Sequence, residues 1–453
     1  MNVFTEPSKT IPVVGEFDIC VVGGSATGVF AAVRSARLGA KVALVECNGF
    51  FGGVATASLV NVWHSIFDTL GEKQVIGGLT TEVIDRLKRR DGVIMREPTN
   101  RSMYAILNTA ELTIELDELV RSVGVKPFLH TWFAAPLVQD NQLIGIAVED
   151  KSGRRAILAK YFVDATGDGD LVKRLGLPTY HREGVQPPTQ CVLVRGLKEI
   201  EEKFPGFSLN KEVFNPLYPN SLKKGFLWHA PVPGSHDDTM IAGTRVFGVD
   251  VSDADQLTYA EMEGRRQVRA MTDILREHFL PPGINPLVAL GARIGIRETR
   301  HACCLHTLTE REVLTGVRFP DAIANGTYRV DIHAHDKEGL LFRYLDGTEV
   351  YVTPDGSKDL GRWLPEGEIA ATFYQIPYRS LVPVGATNLI TAGRNIDADA
   401  GAFGATRVMV NCNQTGEAAG VAAALALRDG ISVSQVDPVK LRAVLAEGGS
   451  IVL

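Results

Sequence analysis

The spacing of apolar residues changes along the chain, and each change marks an element. "FDICVVGG" (17–24) is an almost unbroken apolar run closed by glycine, which predicts a buried strand. "VFAAVRSARLGA" (29–40) shifts to helical spacing with small residues on its packing side, and "KVALVE" (41–46) predicts a second strand. Strand, helix and strand in about 30 residues make one right-handed βαβ unit. Residues 75–90 and 104–122 carry helical periodicity. From 125 to 168 the pattern becomes short alternating strands, with turns at Asp140–Asn141 and Ser152–Gly153. That predicts an antiparallel meander ending in the buried strand "KYFVDATGD". Residues 180–375 are less regular, with a helical stretch near 255–280 and strands near 226–250 and 289–300. The end returns to α/β: a strand "NLITAGRNID" (388–397), a loop "ADAGAFGATR" (398–407) and a small-residue helix over 408–428. No internal repeat or low-complexity tract is visible.

The first turn, "VVGGSATG" (21–28), carries the first chemical signal. Gly23 ends the strand where the chain must turn, and Gly28 lets the helix pack close to the strand. Ser25 stands where the G-x-G-x-x-G fingerprint has its second glycine; its hydroxyl can itself bond a phosphate, and Gly24 keeps the neighbouring backbone open. The helix start still presents free N–H groups and a positive dipole end to an anion. Glu46 closes the second strand, where an acid accepts hydrogen bonds from an adenosine ribose. The cradle of Gly23, Gly24, Ser25, Thr27 and Gly28 with Glu46 predicts a bound dinucleotide; a structural turn with a surface glutamate is the bland alternative.

Bulk properties narrow the partners. Of 453 residues, 45% are hydrophobic and 22% charged, which is ordinary globular chemistry. A net charge of -6 gives no reason to expect nucleic acid or an anionic membrane. No apolar run reaches the roughly 18 residues a bilayer needs, and the first residues lack a secretory pattern. The cysteines at 20, 47, 191, 303, 304 and 412 show neither C-x-x-C nor a framework spacing, as expected of thiols in a reducing, cytoplasmic compartment.

"DICVVGGSATGVFAAVRSARLGAKVALVE", "GFFGGVAT", "YFVDATGDGDL" and "NLITAGRNI" with "GATRVMVNCNQTGEAAGVAAALAL" together resemble the FAD-dependent oxidoreductases of the glutathione-reductase-type superfamily. The resemblance implies a Rossmann-like α/β domain: a central parallel sheet, helices on one face and an antiparallel meander on the other, with an inserted α+β substrate domain. Residues 1–60, 105–180 and 376–453 would form the discontinuous FAD-binding domain, and 61–104 with 181–375 the substrate or cap region. It implies FAD as cofactor, lined further by Gly52, Gly53, Ala165, Thr166, Gly167, Gly393, Arg394, Asn395, Arg407 and Val408. Relatives fed by NAD(P)H through a separate domain carry a second glycine fingerprint, and none stands between 180 and 375. Electrons are therefore expected from the organic substrate or another donor.

Candidates for the chemistry lie elsewhere. If "GARIGIRETRHACCLH" (291–306) is a strand, Arg293 and Arg297 share a face and Arg300 takes the other. Arg297 and Arg300 are the expected anchors for a polar substrate or the flavin edge, with a salt bridge to Glu298 or Asp164 as the structural alternative. In "YRVDIHAHD", His333 is the expected proton carrier and His335 its less supported neighbour. Family geometry would bring His64 near the flavin. Tyr374, Tyr378 and Arg379 are expected either at the substrate or in the core. The cysteines and histidines near 301–306 and 333–335 offer no metal-ligand spacing, so no metal is expected. The function expected is hydride transfer between flavin N5 and a small polar metabolite. Alternatives are a synthetic flavoprotein of thiazole-forming or RNA-modifying type, or a non-catalytic nucleotide-binding module. No nucleic-acid or membrane partner is expected, and a homodimer would be the commonest assembly.

Overall fold

The computed structural model describes residues 3–98, 104–223, 225–333, 339–353 and 356–453. The βαβ unit forms as the pattern predicts: strand Val13–Val22, first helix Ala26–Arg37 and strand Val42–Val45. Val13–Val22 is the middle strand. It pairs in parallel with Val42–Val45 on one side and with Gly153–Asp164 on the other, while Lys126–Phe128 extends the sheet beyond Val42–Val45. The strand Gly153–Asp164 serves two layers. Its first half pairs antiparallel with Gln142–Asp150, which in turn pairs with Trp132–Gln139; its last residues pair in parallel with Leu389–Thr391. Asp140 and Asn141 both have positive φ (49° and 60°), the backbone a two-residue primed hairpin turn requires.

Alternation along the strands divides the core between the two faces. Ile19, Val21, Leu44 and Val163 point to the helical face, whereas Cys20, Val22, Ala43 and Phe162 point to the meander. On the helical face the first helix crosses the long helix Met409–Asp429 in backbone contact. A Cβ on Gly416 would lie 2.1 Å from Thr27 O, and one on Gly420 would lie 2.2 Å from Ala31 O. Ser35 Oγ seals the crossing by donating to Gly420 O. The protein is thus α/β, with a parallel-dominated Rossmann-type sheet whose strands Val13–Val22, Val42–Val45, Gly153–Asp164 and Leu389–Thr391 all end at one edge.

Among the described residues, the middle of the chain adds two four-stranded antiparallel sheets. Val192–Arg195 pairs with Asp238–Ala242 and Leu287–Leu290, and Trp228–Pro231 lies outside Asp238–Ala242. The helix Ala254–His278 covers this sheet through Val268, Met271 and Leu275. The second sheet runs Val330–His333, Leu340–Arg343, Thr348–Val352, Lys358–Arg362.

Three expectations are corrected. Within 104–122, Ala105–Leu107 is a strand, and the helix begins only at Thr109 because Asn108 caps it, accepting from the N–H groups of Ala110 and Glu111. The stretch 398–407 is not a loop throughout: Ala400–Thr406 is a helix capped by Asp399. Its glycines are there for contact, since a Cβ on Gly404 would come within 2.8 Å of Asp331 O. The strand near 289–300 stops at Leu290. Beyond it Arg293 N–H donates to Ala57 O and Gly295 exchanges hydrogen bonds with Thr189, so the segment bends across two other chains. Arg293 and Arg297 therefore do not share a strand face. Among the described residues no helix is long and apolar enough to cross a membrane.

The helix crossing makes a direct prediction. Gly420→Val should lower unfolding stability by about 1–3 kcal/mol, because overpacking here meets backbone that has no rotamer to yield. Denaturant unfolding with an unchanged midpoint would contradict it.

Candidate active site

A cleft of about 660 Å³ opens at the strand edge and is lined by the nucleotide loop, the turn at 52–54, and residues from both middle sheets. At the loop, sterics leave room only for glycine. Gly23 has φ +103° and its Cβ would lie 2.3 Å from Ala165 O; a Cβ on Gly28 would lie 1.8 Å from Gly23 O. Ser25 is the N-cap of the first helix but makes no side-chain cap bond, so the first-turn N–H groups stay free. The serine fits because the chain facing it has no side chain: a Cβ on Gly53 would lie 2.6 Å from Ser25 Cβ. Glu46 is fixed by Gly24 N–H at 2.6 Å on Oε2 and by the Asn48 N–H and side-chain amide on Oε1.

The opposite wall is the "DATGD" turn. Buried Asp164 accepts from Thr166 N–H and Oγ1 and from the N–H groups of Leu171 and Val172; burial pushes its carboxyl up to about 6. Thr27, Ala165, Thr166, Gly167, Gly393, Arg394, Arg407 and Val408 all face the cleft. Gly24, Gly28 and Asn395 stand behind it, with Asn395 bonded to Asp164 O. Arg394 pairs with Asp168 at 3.2 Å, and Arg300 turns to Asp170 and Asp168 O on the same turn. The long helix also opens into the cleft, through Val408 and Met409, and its N-cap Val408 makes no side-chain cap bond.

These features fit FAD. Two helix N-termini, both uncapped, open into one cleft, and Arg394 Nη1 and Asn413 Oδ1 are buried there with no partner. Gly23, Ser25 and Thr27 would hold the pyrophosphate and Glu46 the ribose, while Gly52, Gly53, Arg394 and the start of the long helix would line the remainder. Asn48 was not expected from the sequence; Arg293, expected on the face of Arg297, instead lies over the Trp132 ring at 5.4 Å and donates to Cys47 Sγ.

The far end gathers His64, Arg297 and His333. His333 shares a strand face with Asp331, and its Nε2 lies 3.5 Å from Asp331 Oδ1. Asp331 Oδ2 accepts from Tyr328 OH at 2.7 Å, and Arg407 Nη2 lies 3.2 Å away, outside hydrogen-bond geometry. Burial opposes the charge on Asp331, but the guanidiniums of Arg407 and Arg329 and the Tyr328 hydroxyl outweigh it and hold the carboxyl well below its usual range. Burial, reinforced by Arg297, holds His333 well below 6.5 and therefore neutral. His64 packs on the Tyr328 ring (centroids 4.2 Å apart), and burial lowers it to about 3. Arg297 meets neither Glu298 nor Asp164: it donates to Pro187 O and Thr189 Oγ1, while Glu298 is taken by Arg182 and His301. His335 lies outside the described residues. Tyr374 and Tyr378 are core residues bonded to Ala405 O and Val433 O, and Arg379 pairs with Asp321. Arg245, Tyr328 and Asp331 were not foreseen; the alternation of Asp331 with His333 was the available signal.

Comparison with known proteins agrees with the geometry. The family model described as FAD dependent oxidoreductase matches residues 18–445. The chain belongs to this family. Among curated relatives, mitochondrial dihydrolipoyl dehydrogenase of Schizosaccharomyces pombe is 26% identical over 164 residues, 34% of this chain and 28% of the relative. The chain thus spans less than a third of that relative's length. Thiamine thiazole synthase of Pyrococcus horikoshii is 27% identical over 204 residues, 42% of this chain and 75% of the relative. A geranylgeranyl bacteriochlorophyll reductase-like protein of Thermoplasma acidophilum is a similar solved structure, with 12% identity, TM-score 0.47 and coverage of 95% of this chain and 83% of that one.

Two predictions follow from this geometry. Gly53→Ala should weaken FAD binding, and less so in a Ser25→Gly background, with a coupling of about 0.5–3 kcal/mol in a double-mutant cycle; strictly additive effects would show that the two positions do not meet. His64 and His333 are held neutral, so below pH 6.5 the unfolded chain binds more protons than the folded one. Their contribution is complete above that pH and declines as pH falls toward the folded values, by up to roughly 1.4 kcal/mol per histidine per pH unit. Urea unfolding at pH 7 and pH 5 measures it, and replacing His64 with Phe should flatten the slope.

Proposed function

We propose that the enzyme transfers a hydride between its flavin and a small polar organic metabolite held at the far end of the cleft, with His333 handling the proton. The observation that carries this is the continuity of the cleft. One wall runs from the dinucleotide cradle to a neutral histidine beside a buried carboxylate.

A bound FAD would supply a hydride acceptor and donor at its N5 for a substrate carbon. Everything else falls to the chain. Tyr328 and Arg407 keep Asp331 ionised and in place, beside the imidazole of His333. Neutral His333 can accept the proton a hydroxyl or amine loses as its carbon gives up hydride, and return it in the reverse direction. Arg297, which has no carboxylate partner among the described residues, is available to anchor polar substrate atoms. Leu340 and Phe342 line the same end and exclude water from it.

The test is anaerobic bleaching of the flavin by sugars, hydroxy acids and cyclic alcohols or amines. At least one class should bleach it. His333→Asn should then slow the reaction by about 10²–10⁴-fold with FAD content unchanged. An unaltered rate in that variant would assign the proton to another group.

A further inference from the structure

The middle of the chain delivers a second arginine to the far end, Arg245, which is only 2% exposed. Its Nη1 donates to Thr189 Oγ1 at 2.8 Å and to Thr244 O at 2.6 Å. Arg297 Nη1 donates to the same Thr189 oxygen at 2.6 Å. The threonine hydrogen is directed to Thr244 O, so the Thr189 oxygen is left with lone pairs for both guanidiniums. Two cations thus converge on one neutral hydroxyl. The acid of this chamber, Asp331, faces Tyr328, Arg407 and His333 instead. Among the described residues, Arg245 Nε, Arg407 Nε and Arg407 Nη2 are buried without hydrogen-bond partners.

Burying three guanidiniums together is costly, and among the described residues Asp331 is the acid they share; a further anion entering between Arg245 and Arg297 relieves that cost. Planar forks converging on one point suit a planar, two-oxygen anion. We infer that the metabolite is an organic carboxylate, whose carboxylate group is held between Arg245 and Arg297 above Thr189. The inference rests on the hydride-transfer reading and adds the charge class of its substrate. It also resolves a tension at His333, because the guanidiniums that oppose protonation of the imidazole are neutralised once the anion is seated. The histidine then becomes a better base in the complex than in the free enzyme.

The FAD-loaded protein is titrated with malonate, acetate and sulfate at constant ionic strength, following the flavin absorption band. Saturable perturbation by the carboxylates, weaker for sulfate, is expected. Arg297→Gln and Arg245→Gln should each weaken it by about ten- to a hundred-fold with FAD retained, and Arg297→Lys should recover part of the loss. No saturable response to carboxylates, sulfate binding as tightly as malonate, or undiminished binding in Arg297→Gln would each overturn the inference. If Arg245→Gln does not fold, Arg297→Gln and the unsubstituted enzyme still decide. Carboxylate binding without bleaching by any compound would sink the hydride-transfer reading alone. Bleaching by a neutral sugar without carboxylate binding would sink only the present inference.

Discussion

The whole site depends on one contact between backbones: the first helix lying directly against the long C-terminal helix. Thr27 O and Ala31 O face Gly416 and Gly420 with no side chain between them. That closeness holds both helices against one sheet face and opens both N-termini into the same cleft. Neither terminus is capped by a side chain, so each keeps its unpaired N–H groups for an anionic guest. Any residue larger than glycine at the crossing would push the two ends apart and change the distance between the sites they serve.

The cleft built on this crossing has two electrostatic characters. At the dinucleotide end the charges are matched, with Arg394 on Asp168, Arg300 on Asp170 and Glu46 bonded by Gly24 and Asn48. At the far end they are not. Arg245, Arg297 and Arg407 are served by Asp331 and by neutral oxygens.

Much of this was legible in the sequence because it is local. The βαβ unit, the meander with its Asp140–Asn141 turn, the glycine cradle and Glu46 all rest on spacing within some 30 residues. His333 and Arg297 were legible as residue types. Their meeting was not, because the segment after Leu290 was read as a strand from its isoleucine alternation. The chain instead bends so that Arg293 N–H reaches Ala57 O and Gly295 pairs with Thr189, and Arg293 and Arg297 part company there. Arg245 left no trace in the pattern. It stands in an irregular stretch after Asp238–Ala242, and only the pairing of three distant segments brings it to Thr189. The helix Ala400–Thr406 was hidden by glycines whose purpose is tertiary contact, not turning.

The same helix crossing has a temporal consequence. Ser35 and Gly420, joined by a hydrogen bond, are 385 positions apart in the chain. At roughly 5–20 residues per second on the ribosome, the first helix emerges on the order of 20–80 seconds before its partner. Through that interval Val29, Phe30 and Val33 have no surface of the long helix to rest on, and the glycine loop has only one of its two helix ends. The crossing, and with it the second helix end of the cleft, can therefore form only after the long helix has left the ribosome.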